Sequence, residues 1–100
     1  MKDTKKLSRV FKALSNSHRL ELFLKIKKHH ELEIARDKKK TCFLSAICEN
    51  LNLGAPTVSH HLKELMNAGL IEVGKEGKFA VCTLNPKALN QVRSVFEGDL

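Results

Sequence analysis

Apolar residues recur along this chain with two different periods. Leu7, Val10, Phe11 and Leu14 fall at i, i+3, i+4 and i+7, one face of a helix that starts at Asp3 or Thr4 and ends near Leu14. Ser15-Asn16-Ser17 interrupts the pattern, and Asn16 is the expected N-cap of the next helix. That second helix starts near Ser17, carries Arg19 in its first turn, and presents Leu20, Phe23, Leu24 and Ile26 as a wide apolar face. Beyond Ile26 the chain is charged as far as Lys40, with Leu32, Ile34 and Ala35 as its apolar anchors, and reads as a helix extension, a loop or both. Thr41-Cys42-Phe43 is β-prone and suits a very short strand. Leu44, Ile47, Cys48 and Leu51 then make a third helical stripe over residues 44–51, followed by a tight turn at Asn52-Leu53-Gly54.

The next stretch, APTVSHHLKELMNAGLI, organises the rest. Pro56 suits the first helical position, where its missing N–H costs nothing. Val58, Leu62, Leu65 and Met66 form the apolar stripe, and Thr57, Ser59, His60, Lys63 and Glu64 lie opposite. Gly69 supplies the positive-φ residue that ends the helix. After it the period changes to two. Ile71 and Val73 alternate, Gly74-Lys75-Glu76-Gly77 reads as a turn, and Phe79, Val81 and Thr83 alternate against Ala80, Cys82 and Leu84, which predicts a β-hairpin. Asn85-Pro86 caps a last helix that runs to about Glu97, with Ala88, Leu89, Val92, Val95 and Phe96 on one side.

The predicted order is α-α-α-α-β-β-α, with a tiny strand before the third helix as an option. It is a mainly α domain with a small hairpin: a winged helix-turn-helix over residues 1–100. A helix that sets hydroxyls, an imidazole and a lysine on the open side of its first turns suits the major groove of DNA. Lys75 and Lys78 at the wing tip are placed to reach phosphate. The first and last helices carry stripes that a chain of 100 residues cannot easily cover on both sides. Leu7, Val10, Phe11, Leu14, Leu89, Val92, Val95 and Phe96 are therefore expected at a two-fold dimer interface.

Charge sharpens the reading. The formal net charge is +7, which favours a polyanionic partner. Residues 1–12 hold five Lys/Arg against one acid, and residues 25–40 hold seven against three, whereas the reading helix is nearly neutral. No apolar run reaches the ~18 residues of a membrane span, and the Lys-rich start has no apolar core like that of a signal peptide, so a cytoplasmic location is expected. With no Trp or Tyr, the aromatic stacking platforms of single-strand RNA binders are poorly supplied.

At this point the chain resembles the ArsR/SmtB family of winged-helix transcriptional repressors. The resemblance rests on ALSNSHRLELFL (13–24), APTVSHHLKELMNAGLI (55–71) and GKEGKFAVCTLNP (74–86), together with their spacing. It implies a homodimer that binds an inverted-repeat operator and is released by an inducer, often a metal ion. Carried over by position, it makes Ser59 and His60 the contacts to bases or phosphates, with Thr57 and Lys63 as neighbours. His61 points differently and is expected to be partly buried or to touch phosphate. The family's metal sites do not carry over. Its paired cysteines, one residue apart, are replaced by Phe43-Leu44-Ser45 with Cys42 one position out of register. Its Asp/His site on the last helix has no counterpart among the residues from Pro86 to Glu97. The segment from Lys28 to Lys40 is also longer than in short members.

No cofactor is predicted, and any metal or oxidant inducer is unidentified. Three cysteines without a secretion signal argue against a disulfide framework. Cys48 lies on an apolar stripe and Cys82 on the inward side of a strand, where cysteine behaves as a small hydrophobe. If residues 41–43 pair beside the wing, Cys42 and Cys82 become cross-strand neighbours and candidates for a thiol switch. His18, and His29-His30 with Glu31 and Glu33, read as solvated polar residues rather than metal ligands. The leading function is sequence-specific binding of double-stranded DNA by a dimeric repressor. The alternative is a winged-helix protein–protein module, but the polar face of the reading helix lacks the aromatic anchors of protein interfaces. No nucleophile elbow, phosphate loop or HExxH spacing supports an enzyme.

Overall fold

The computed structural model describes residues 4–35, 42–43 and 54–98. Helix α1 spans Thr4–Leu14 and α2 spans Ser17–Ala35. Asn16 caps α2 as predicted: its Oδ1 accepts from the Arg19 N–H at 3.0 Å. The stretch after Ile26 is thus helical as far as Ala35. The predicted third helix over 44–51, and Cys48 with it, lies outside the described residues.

Strand β1, Cys42–Phe43, is the short strand expected near residue 41. Helix α3 covers Ala55–Asn67, β2 covers Ile71–Glu76, β3 covers Phe79–Leu84, and α4 covers Pro86–Val95. The three strands form one antiparallel sheet in the order β1-β3-β2. Gly69, at φ +77°, ends α3. The Gly69 N–H donates to the Met66 carbonyl at 2.9 Å and the Leu70 N–H to the Leu65 carbonyl at 3.1 Å, the paired bonds of a Schellman stop. At the far end of the hairpin, the Asn85 N–H donates to the Leu70 carbonyl at 2.9 Å, and Asn85 caps α4 by accepting from the Lys87 N–H at 3.1 Å.

The hairpin turn is tighter than predicted. The expected turn over Gly74-Lys75-Glu76-Gly77 is instead mostly strand, with Gly74 opposite Val81, Lys75 opposite Ala80 and Glu76 opposite Phe79. The loop is Gly77-Lys78 alone. Gly77 sits at φ +63°, the left-handed conformation that a two-residue hairpin loop requires. The last helix also stops earlier than Glu97, at Val95.

The core gathers Val10 and Ala13 of α1, Leu22, Phe23 and Ile26 of α2, Leu65 of α3, and Leu70, Ile71, Cys82 and Ala88. Two predicted stripes are rotated. In α2 the inward face is Arg19, Leu22, Phe23 and Ile26, while Leu20 and Leu24 remain exposed. In α3 it is Val58, His61, Leu62 and Leu65, while Met66 is exposed. Both observed sets keep the i, i+3, i+4, i+7 spacing, and each admits one polar residue to the buried side.

Helices α1 and α4 pack together within a single chain. Leu7 and Val10 are buried there, and Leu14, Leu89 and Val92 are half-buried against the core. These five are therefore largely used up inside the protomer. The apolar surface left open on these helices is Phe11, Val95 and Phe96, with Phe96 69% exposed. The Phe11 and Phe96 rings meet edge to face with centroids 6.1 Å apart.

Candidate nucleic-acid interface

Helix α3 starts abruptly because Gly54 is extended (φ −69°, ψ 154°) and Pro56, in the second helical position, has its φ already set. The stripe of Val58, Leu62 and Leu65 fixes the inward side. The outward side then follows from helical geometry, and Thr57, Ser59, His60 and Lys63 are all exposed on it. This brings together two hydroxyls, an imidazole and an ammonium over two turns, beside the positive end of the helix dipole. All four can donate hydrogen bonds, as contacts to phosphate oxygens and to guanine or thymine edges require.

His61 does not share that surface. It is buried, and its Nδ1 accepts from Nε of Arg19 at 3.4 Å. The same guanidinium donates from Nη1 to the carbonyl of Ala13 at 3.2 Å, in the last turn of α1. Burial, and after it the positive charges of Arg19, His60 and His18, hold the His61 pKa below its ordinary value of 6.5. An accepting Nδ1 requires the neutral ring with its proton on Nε2. Of the two expectations for His61, burial is the one observed; its side chain faces the fold with Arg19 and seats the helix instead of standing with Ser59 and His60 as a DNA contact.

Arg19 is the residue whose importance periodicity does not reveal. The one available signal is its place three residues after the Asn16 cap, in line with Leu22, Phe23 and Ile26. A cleft of about 640 Å³ opens between the α1–α2 corner and α3, lined among others by Arg9, Lys12, Arg19, His60 and Glu64. Its basic rim adjoins the outward side of α3 at His60.

Lys75 and Lys78 are exposed on the wing, Lys75 within β2 and Lys78 in the loop itself. Cys42 of β1 and Cys82 of β3 occupy one register position of the sheet, and Cys82 is fully buried. Among the described residues no three His, Cys, Asp or Glu side chains converge as a metal site would require. No described helix is long and apolar enough to cross a membrane.

Residues 36–73 match the model of a protein family described as bacterial regulatory protein, arsR family. Over this segment the chain is similar to the ArsR-family helix-turn-helix. The segment includes β1, α3 and the first half of β2. Solved structures extend the likeness to the whole winged helix-turn-helix fold. An ArsR family transcriptional regulator superposes with a TM-score of 0.73 at 17% identity, over 95% of this chain and 88% of its own. An ArsR-like transcriptional regulator from Rhodococcus sp. RHA1 gives 0.70 at 22%, over 92% and 76%. The homodimeric winged helix-turn-helix DNA-binding domain of a possible ArsR-family regulator from Mycobacterium bovis gives 0.67 at 22%, over 92% and 76%. At such identities the shared property is the winged helix-turn-helix fold. No curated protein matches the chain.

Proposed function

We propose that this protein is a DNA-binding transcriptional regulator, a dimeric repressor of the ArsR type acting on an inverted-repeat operator. The observation that carries the reading is the exposed side of α3, where Thr57, Ser59, His60 and Lys63 stand clear of the fold. In this reading Ser59 and His60 contact base edges or phosphates, Thr57 and Lys63 flank them, and Lys75 and Lys78 hold phosphates beside the groove. The excess of positive charge supplies the sequence-independent part of the affinity.

Self-association uses the ends of α1 and α4, where Phe11, Val95 and Phe96 remain open to a second copy. The M. bovis domain that shares the fold is homodimeric, which supports self-association. A two-fold axis there would set two α3 helices into successive major grooves about 34 Å apart. The inducer is a separate question, since neither family metal site has its ligands in this chain.

Duplex selection from a random pool, followed by mobility-shift titration at low and moderate salt, tests the reading. The expected result is an inverted-repeat site bound by two chains, with affinity falling steeply as salt rises. Failure to shift any duplex at low salt would replace it with the protein–protein module.

A further inference from the structure

Cys42 and Cys82 are direct Cα partners across β1 and β3. Residues opposite one another in an antiparallel pair have Cα atoms ~4.5–5.5 Å apart, and their Cβ atoms share one face of the sheet. Two cysteines can be bridged when their Cα atoms lie ~4.4–6.8 Å apart, so this register meets the backbone condition. The arrangement is specific. β3 lies between β1 and β2, and Val73, not a thiol, stands opposite Cys82 on the β2 side. Cys82 is fully enclosed in the core, among residues that include Leu22, Ile26 and Leu65. β1 forms one edge of the sheet as described.

We propose that Cys42 and Cys82 form a reversible disulfide, an oxidative modification site that ties β1 to the return strand of the wing. The oxidant class is a peroxide. The Cys42 thiol loses its proton and the thiolate attacks one peroxide oxygen; the O–O bond breaks, the sulfur becomes a sulfenic acid, and the departing hydroxide takes up the released proton as one water. The Cys82 thiol then attacks that sulfur, its proton leaves with the sulfenic hydroxyl as a second water, and the S–S bond forms. Two thiols and one hydrogen peroxide become one disulfide and two waters, and a dithiol reductant reverses the change. The first oxidation is assigned to the cysteine of the edge strand β1, since Cys82 on the central strand is fully buried. The proposal is independent of whether the protein binds DNA.

The 100-residue chain, treated with one equivalent of hydrogen peroxide and then denatured, gives the test by thiol titration and non-reducing peptide mapping. The expected result is a fall from three reactive thiols to one, a Cys42–Cys82 linked peptide in a monomeric chain, and recovery of all three with dithiothreitol. In Cys42→Ser the two remaining cysteines should both stay reduced; this variant leaves the buried Cys82 untouched. A bridge to Cys48, a bridge between chains, or three persistent thiols would each overturn the proposal.

Discussion

The Nε–H of Arg19 donates to Nδ1 of His61 across 3.4 Å, joining the first turn of α2 to the concealed side of α3. The guanidinium also reaches back to the Ala13 carbonyl, so one side chain links α1, α2 and α3. This link adds to the apolar stripe of Val58, Leu62 and Leu65 in holding Ser59 and His60 outward. Rotation of α3 by a single residue, about 100°, would turn those side chains away.

Replacing Arg19 should therefore loosen the seat of α3. Arg19→Ala removes two hydrogen bonds from a charged donor and leaves the His61 and Ala13 acceptors short of partners. A loss of about 1–3 kcal/mol is expected in urea denaturation. Arg19→Lys should fall between the two, because a single ammonium cannot reproduce the guanidinium fork.

The same contact makes stability depend on pH. The His61 pKa is lowered in the folded protein, so as pH falls the unfolded chain takes up its proton first. The contribution is complete above the unfolded value of about 6.5 and is lost as pH drops through the lower folded value. Urea midpoints measured between pH 8 and pH 5 should decline on the acid side of that window. His61→Leu should flatten the decline, whatever it does to the midpoint at pH 8.

Arg19 and His61 also explain what periodicity alone could not settle. Each occupies an inward stripe position in its helix, and each is polar. A count of apolar residues therefore shifted both stripes, preferring Leu20 and Leu24 over Leu22, and Met66 over His61. A part-buried polar pair declares itself only through its partner, 42 residues away along the chain. Local chemistry was legible where a single residue decides the conformation, as at the Asn16 and Asn85 caps and the Gly69 stop. The outward face of α3 was legible too, because a helix buried along one stripe must expose the other. The hairpin tip was misread because two glycines, Gly74 and Gly77, both resemble turn residues. Only Gly77 adopts positive φ.

Gly69 provides a test of the α3 stop. A Cβ there would meet nothing within 4 Å, so the cost of Gly69→Ala lies in the backbone at φ +77°. About 1–2 kcal/mol of destabilisation is expected. Gly69→Asn should cost less, since asparagine tolerates the left-handed region better. Equal midpoints for the wild type and the alanine variant would mean that the turn relaxes without strain.

Phe96 tests the proposed dimer. It is 69% exposed and touches Phe11 at the open end of α1 and α4. Phe96→Glu should leave the protomer core intact, because the ring contributes little to it. Across a two-fold contact the substitution would bring a carboxylate into apolar surroundings. Sedimentation should then show at least a tenfold weaker self-association, with a secondary-structure spectrum like that of the wild type. An unchanged association constant would place the interface elsewhere.

The DNA reading separates two kinds of contact. Ser59 and His60 project from the middle of the exposed α3 face, whereas Lys75 and Lys78 lie on the wing and act as charges. His60→Ala and Ser59→Ala should reduce the difference in affinity between the selected operator and random duplex, by about 1–3 kcal/mol for a residue that contacts a base edge. Lys75→Ala and Lys78→Ala should weaken both duplexes alike and make the salt dependence shallower by about one unit of log–log slope per lost phosphate contact. Competition titrations at two salt concentrations distinguish these outcomes. Parallel losses for all four variants would mean that α3 contributes charge and shape but does not read the sequence.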